Sequence, residues 1–333
     1  MARSVSDRVS TEDGKVSIVI CTKERHASLQ RAIASVRSSG DAGRRAEIIV
    51  VEESAAPREI AGVRYVHLPR EGKGFGHARN AGVAPATGEI VLFMDDDCEA
   101  CPGWIEALTA PFGRDGRIVG VAGAVLVKEC GVIGYAENIL GFPGGGLRYL
   151  AAAGGHLRPT RYLSTCNCAY RKQAILQAGG FPQGARLGGE DFLLAERVSA
   201  LGSCVYASSA VVYHRPRGRL AAIFHWFVRR GESEIGLLSH TSERGRFLRF
   251  LLRSSWTGRV LLLLAIVSWR PRLAGLLPAA AIAYYAILLW RFRFARAYPS
   301  HRKAWWVVPP VKLTMDLGTE VGRWKAVLTR GRG

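Results

Sequence analysis

The sequence predicts an α/β protein: a mostly parallel central sheet with helices on both faces, followed by a C-terminal helical region of different character. Short β-branched runs alternate with segments of helical spacing from Val16 onward, and each run stops at a polar residue. After residue 215 the apolar stretches lengthen and the charge becomes one-sided. Val16-Ser17-Ile18-Val19-Ile20-Cys21-Thr22 is too short for a helix and bounded by polar residues, as a buried parallel strand requires. Leu29, Ile33 and Val36 then recur at helical spacing, leaving Arg25, Arg31 and Arg37 for the wet faces, and Gly40 with Gly43 closes the segment. Glu47 to Val51 gives a second strand, Val63 to Leu68 a third, Phe75 to Ala84 a helix, and Glu89 to Met94 another strand. Further along, Leu194, Val198 and Leu201 space a helix, and Ser203 to Tyr213 forms a strand. Ligands of such sheets sit outside the carboxyl ends of the strands, where Thr22, Glu52 and Asp95 are placed.

The candidate chemistry lies at those ends. Asp95-Asp96-Asp97 ends the fourth run, and three adjacent carboxylates repel one another unless water or a hard divalent cation takes up the charge. A solvated acidic turn or helix cap is the plainer reading of the triplet alone. Gly72-Lys73-Gly74-Phe75-Gly76 precedes Arg79 and Asn80 and suits an anion at a helix start, although it matches neither the Rossmann fingerprint nor the P-loop; a tight turn explains the glycines as well. Glu190-Asp191 opens the helix of Leu194, either as favourable partners of the helix dipole or as acid–base groups.

Together, Val16 to Val36, Glu47 to Ser54, Gly72 to Gly103 with its aspartates, and Gly179-Gly180-Phe181 followed by Glu190-Asp191 resemble a family 2 glycosyltransferase with the GT-A fold. The resemblance covers Val16 to His214. It implies transfer of a sugar from a nucleotide diphosphate donor, with inversion and with Mg²⁺ or Mn²⁺. Asp95 and Asp97 match the ends of the Asp-X-Asp motif, so Asp97 would hold the metal and Asp95 would contact ribose or metal, with Asp96 in the donor-binding set. Thr22 and Glu24 match the loop under the nucleobase, and Arg79 with Asn80 the helix start lining the nucleotide pocket. One departure is Val51-Glu52-Glu53-Ser54, where the family usually ends its second strand in Asp. The longer Glu52 side chain can still accept from a nucleobase or ribose, while base preference becomes less predictable.

By the same resemblance Asp191 is the general base for an acceptor hydroxyl, and Glu190 the alternate that orients acceptor or backbone. Asn167, in Ser164 to Arg171, is an acceptor-side candidate or a buried, satisfied amide. His214 completes the metal shell or is simply hydrogen-bonded at a strand end. The glycine-rich stretch Gly141 to Pro159 is expected as a mobile loop over the acceptor groove or an irregular surface connection.

Of the formal net charge of +19, residues 216–333 hold 21 Lys and Arg against 5 Asp and Glu. These charges flank apolar segments and no nucleic-acid motif accompanies them, so a membrane is the expected partner and nucleic acid is not. Leu273 to Trp290 is 18 residues without a charge, just short of the about 20 that a spanning helix prefers, and Val260 to Trp269 is shorter. A hairpin, one span or soluble core helices are all open, with basic flanks on both sides favouring re-entry. Val311, Met315, Val321, Trp324 and Leu328 give an amphipathic spacing with Lys312, Arg323 and Lys325, for a helix on anionic lipid or one packed on the rest of the protein.

The expected organisation is a disordered N-terminus over 1–15, a catalytic domain over 16–215, a juxtamembrane linker over 216–255 and a membrane-associated helical region over 256–333. Met1 to Lys15 lacks the apolar core of a signal peptide, and seven cysteines suit a reducing compartment, so the catalytic domain is expected on the cytoplasmic face of the cell membrane. The partners implied are a nucleotide diphosphate sugar and a glycan or lipid-linked acceptor. A non-catalytic, membrane-bound nucleotide-sugar-binding subunit is the alternative.

Overall fold

The computed structural model describes residues 16–183 and 188–330; the segment 1–15, for which disorder is expected, lies outside the described residues. In chain order come β1 (Val16–Thr22), α1 (His26–Ser38), α2 (Asp41–Arg45), β2 (Glu47–Ser54), β3 (Arg64–Pro69), α3 (Phe75–Val83), β4 (Ile90–Met94), β5 (Cys98–Ala100) and α4 (Trp104–Arg114). There follow β6 (Ile118–Leu126), α5 (Val132–Ile139), α6 (Gly146–Ala153), β7 (Arg158–Pro159), β8 (Asn167–Arg171), α7 (Lys172–Gln177), α8 (Glu190–Val198) and β9 (Ser203–His214). The remainder is helical: α9 (Leu220–Leu237), α10 (Arg244–Ser254), α11 (Trp256–Trp269), α12 (Leu277–Arg291) and α13 (Val308–Arg330). Two compact units divide the chain. The first comprises the described residues through Leu126, Ala152–Gln183 and Glu190–His214; the second takes Val127–Ala151, residues 188–189 and everything from Arg215.

The first unit is built on one sheet of order β3-β2-β1-β4-β8-β6-β9-β5, with β7 beside β9. Its β3-β2-β1-β4 half is parallel, as the alternating runs require. The other half is mixed, because β8 runs antiparallel between β4 and β6, while β6 and β9 are parallel. Alternation along the strands divides their apolar side chains between the two faces. Ile18, Ile20, Ile48, Val50 and Leu92 pack with Leu29, Val36, Trp104 and Leu108 of α1 and α4. On the opposite face α3 lies so close that a Cβ on Gly82 would stand 2.5 Å from Val19, which only glycine avoids. That packing brings the start of α3 over the strand ends.

In the second unit α9 and α13 also approach through glycines: a Cβ on Gly322 would meet the Val228 carbonyl at 1.9 Å. Val308, Val311 and Met315 of α13 are buried, but Val321, Trp324 and Leu328 are exposed, so the expected stripe is two faces rather than one. Arg323, expected on the polar face, is buried against Glu234. The stretch expected as a mobile loop carries α6, with Leu147 fully buried, so it is packed helix rather than free loop over much of its length. Among the described residues one stretch, Ala274–Arg291, is long and apolar enough to cross a membrane, with mean hydropathy 1.4 and little of it buried; α10 and α11 would also qualify if joined, but they meet at 48°.

Candidate functional site

The aspartate triplet leaves β4 still obeying the alternation of an extended chain. Met94, Asp96 and Cys98 turn inward and are buried, while Asp95 and Asp97 remain partly exposed. Asp96 accepts from Thr22 Oγ1 at 2.6 Å and from Arg25 Nε at 3.0 Å. Burial lifts its carboxyl to about 6, against the pull of Thr22 and Arg25. Asp96 and Thr22 therefore hold the turn together from inside. Both were expected among the donor contacts, and both side chains are buried. Arg25 lies on a wet face, as expected, and from there bridges to Asp97 Oδ2 at 2.8 Å. Helical spacing gives the face of a residue and not its partner, so the sequence carried no sign of this; the Asp96 alternation was legible from the pleat.

Asp97 and His214 do come together. β5 pairs with the end of β9 so that Cys98 lies opposite His214, and His214 Nε2 stands 3.2 Å from Asp97 Oδ1. The ligand atoms of Asp97, Cys98 and His214 lie within 4.8 Å of one another, as do those of Asp95, Cys166 and His214. Two carboxylates thus converge on one imidazole. The buried Nδ1 of His214 has no hydrogen-bond partner, and a set of carboxylate oxygens with one imidazole fits a small divalent cation. The Cys166 thiol donates to Asp95 Oδ2 at 2.9 Å, and burial first, then Asp95, pushes that thiol well above its ordinary range.

Arg79 reaches the same place from α3. Its side chain is buried between Phe75 and Phe181, ion-paired to Glu190 and 3.6 Å from Asp95 Oδ1. Burial alone would lower its pKa; the carboxylates of Glu190 and Asp95 outweigh it and hold the guanidinium firmly charged. Glu190, the expected alternate that orients acceptor or backbone, is buried and ion-paired to Arg79. Its neighbour Asp191 is partly exposed at the start of α8, where Oδ1 accepts from the Phe192 N–H at 2.8 Å.

Hydrogen bonding accounts for two further candidates. Asn80, expected to line the nucleotide pocket, donates to the Phe181 carbonyl at 2.8 Å and accepts from the Phe181 N–H at 2.9 Å, which makes it a latch on the Gly180-Phe181 turn. Asn167 is buried and satisfied: it accepts from Trp104 Nε1 and donates to the carbonyls of Ala124 and Ala210, all at 2.8 Å, so the plainer reading of this residue holds. The glycines before α3 serve turn and packing. Gly74 has φ +88, and a Cβ on Gly76 would stand 2.3 Å from the Pro182 carbonyl. Glu24, itself at φ +55, pairs with Arg70 on the surface. Glu52 is buried at the end of β2; Oε2 takes Tyr65 Oη at 2.8 Å and Arg58 Nε at 3.0 Å, while Oε1 has no hydrogen-bond partner.

With this geometry in place, comparison with known proteins gives a consistent result. Residues 17–176 match the model of the family described as Glycosyl transferase family 2. A glucosyl-dolichyl phosphate glucuronosyltransferase of Haloferax volcanii is 26% identical over 179 residues, 50% of this chain and 56% of that one. A pre-mycofactocin glycosyltransferase of Mycobacterium tuberculosis is 29% identical over 216 residues, 62% of this chain and 43% of that one. The chain thus spans about half the length of these relatives. Among solved structures, a mannosyltransferase of Pyrobaculum calidifontis in complex with GDP-Man and Mn²⁺ shares the fold with a TM-score of 0.52 at 19% identity, covering 93% of this chain and 88% of its own.

Proposed function

We propose, from a chain that belongs to glycosyl transferase family 2 through residues 17–176, that it moves a sugar with inversion from a nucleotide diphosphate sugar to a hydroxyl of a lipid-linked or cell-surface glycan. The convergence of Asp95 and Asp97 on His214, beside Arg79 and ahead of Asp191, carries this reading. Asp97 and His214, with Asp95, would hold Mg²⁺ or Mn²⁺, which when bound supplies positive charge to a departing diphosphate. Arg79, kept cationic by Glu190, adds a fixed charge at the same place. Asp191 takes the proton of the acceptor hydroxyl on its carboxylate, because such a hydroxyl is far too weak an acid to ionise unaided near neutral pH. A single base of this kind suits one displacement from the face opposite the leaving group. Glu52, through its unpartnered Oε1, and Glu24 are the donor-side contacts for nucleobase or ribose.

Residues 16–215 would contain the catalytic machinery, 216–255 a juxtamembrane linker and 256–333 the membrane-associated region, with the sugar-nucleotide site on the cytoplasmic face. The exposed apolar surface of α11 and α12 supports membrane association, and the name of the Haloferax relative supports a lipid-linked acceptor. The test is thermal stabilisation of the detergent-purified protein by a panel of nucleotide diphosphates and sugar nucleotides, with Mn²⁺ and then with excess chelator. Metal-dependent stabilisation by one nucleotide class is expected; a folded protein that responds to none of them has no such donor site.

A further inference from the structure

We propose that α11 and α12 form a hairpin that enters an anionic lipid bilayer through one face and leaves through the same face without crossing it. This deepens the membrane reading above and rests on it. No residue of α11 is buried, and Leu262 and Trp269 are 64% and 80% exposed; a helix apolar on every side has no place in water.

Both feet of the hairpin are held by the same part of the second unit. At the start of α11, Glu320 of α13 accepts from Ser255 Oγ at 2.8 Å and from the backbone N–H groups of Trp256 and Thr257 at 3.2 and 3.0 Å. This carboxylate caps the positive end of the helix as well as anchoring it. Trp324 Nε1 adds a bond to Thr257 Oγ1 at 2.7 Å. On the returning arm, Tyr285 Oη donates to the Trp306 carbonyl at 2.6 Å, and Trp305 Nε1 to the Leu289 carbonyl at 2.8 Å, just before α13 begins. The chain therefore leaves and rejoins the protein along one continuous stretch, Trp305 to Trp324.

Length decides how deep it goes. The 14 residues of α11 rise about 21 Å, short of a hydrocarbon core of about 30 Å, so the outgoing arm ends inside the bilayer. The 18 residues Ala274–Arg291 rise about 27 Å and come nearer to spanning, but they start from that tip and return to the side on which the outgoing arm is anchored. The tip between them carries Arg270 and Arg272, whose long side chains reach back to headgroups more readily than they cross an apolar interior. Arg259 lies over Trp256 and Arg293 over Trp290, the cation and indole pairing suited to an interface at the feet. Ahead of the 48° bend, α10 exposes Leu248, Phe250 and Leu252 together with Arg246, Arg249 and Arg253, as a helix lying along that interface would. The excess of basic residues selects anionic lipid over a second copy of this equally basic surface.

The experiment uses the full chain with vesicles of phosphatidylcholine and phosphatidylglycerol. Wild-type protein should float with them, and the double variant Leu262→Glu with Leu264→Glu, which touches no buried position, should partition roughly tenfold less or worse. Nucleotide-dependent thermal stabilisation of that variant, equal to wild type, serves as its folding control. Trp269 emission, isolated by subtracting the Trp269→Phe variant, should be quenched by brominated acyl chains and be untouched by iodide trapped in the lumen. Quenching by lumenal iodide would show a crossing and overturn the hairpin while keeping the membrane. Failure of the wild type to float would instead remove the membrane reading, and a wild-type dimer that the double variant abolishes, without flotation, would give the surface to a second copy.

Discussion

In the sheet unit, Arg79 meets Glu190 and lies 3.6 Å from Asp95; in the helical unit, Arg323 meets Glu234. All four of the paired side chains are buried, yet the two pairs are finished differently. Glu234 Oε2 accepts from Arg323 Nε at 3.0 Å and Nη2 at 2.6 Å, its Oε1 faces Arg230 at 3.4 Å, and Arg323 also donates to Ser254 Oγ. Glu190 Oε2, by contrast, has no hydrogen-bond partner, and neither has His214 Nδ1 nor Glu52 Oε1. Among the described residues, buried side-chain atoms lacking a partner lie in the sheet unit and none lies in the helical one. A completed network fixes packing. An incomplete one, at the ends of strands, keeps field and donor capacity for a ligand.

The comparison breaks most decisively through chemistry. If the incomplete set is the working one, Asp191→Asn and Asp97→Asn should each lower turnover about a thousandfold, the first with nucleotide binding kept and the second with metal-dependent stabilisation lost. Normal turnover by Asp191→Asn, measured with the sugar nucleotide identified by thermal shift, would remove that residue from the role of base.

Stability sharpens it next. Glu234→Gln leaves Arg323 with Glu320 alone, at 3.5 Å, and should cost somewhat less than the about 3–5 kcal/mol of a buried pair broken outright, read as a lower melting temperature, with turnover per folded molecule unchanged. Glu190→Gln likewise leaves Arg79 with one carboxylate, Asp95 at 3.6 Å, but should also weaken nucleotide affinity, which Glu234→Gln should not. Equal losses of stability, with donor affinity intact in both, would erase the distinction.

Much of the sheet unit was legible in the sequence because buried parallel strands leave unmistakable β-branched runs, and their ends bring Asp95, Asp97 and His214 within reach of one another. What the sequence withheld were partners. Asp96 has the same side chain as its neighbours, and only the pleat turns it inward toward Thr22. Asn167 carries the polarity of a ligand contact, yet it staples β8 to the carbonyls of Ala124 and Ala210, with Gly123 leaving the room, since a Cβ there would stand 2.3 Å from Nδ2. Arg323 looked like a surface charge, and Arg25 is one, because spacing reports the face of a helix and is silent on the carboxylate that waits there. The glycine-rich stretch before Pro159 was read as loop because glycine content does not reveal that Gly146 packs against the Asn138 carbonyl, where a Cβ would stand 2.3 Å away.

The smallest expected effect tests the completed network by proton uptake. His301 sits in the helical unit with Nε2 3.2 Å from Asn138 Oδ1, Nδ1 2.9 Å from Ser300 Oγ, and the Tyr135 ring edge-on at 4.8 Å. Asn138 Oδ1 can only accept, so Nε2 carries the hydrogen and the neutral ring already satisfies its neighbours. Burial lowers the pKa of His301 from 6.5 to about 4. Above 6.5 the ring is neutral in both folded and unfolded chains and contributes no pH dependence. Between 6.5 and about 4 the unfolded chain takes up a proton that the folded one refuses, so stability declines as pH falls through that window and levels off below it. The loss should be about 1–3 kcal/mol. His301→Gln keeps an N–H for Asn138 and cannot titrate; the drop in melting temperature from pH 7 to pH 4.5 should therefore be smaller in the variant than in the wild type. Parallel declines would mean that the ring admits its proton within the fold. The helical network would then be as open to charge as the site in the sheet, and the contrast between the two units would rest on the arginine pairs alone.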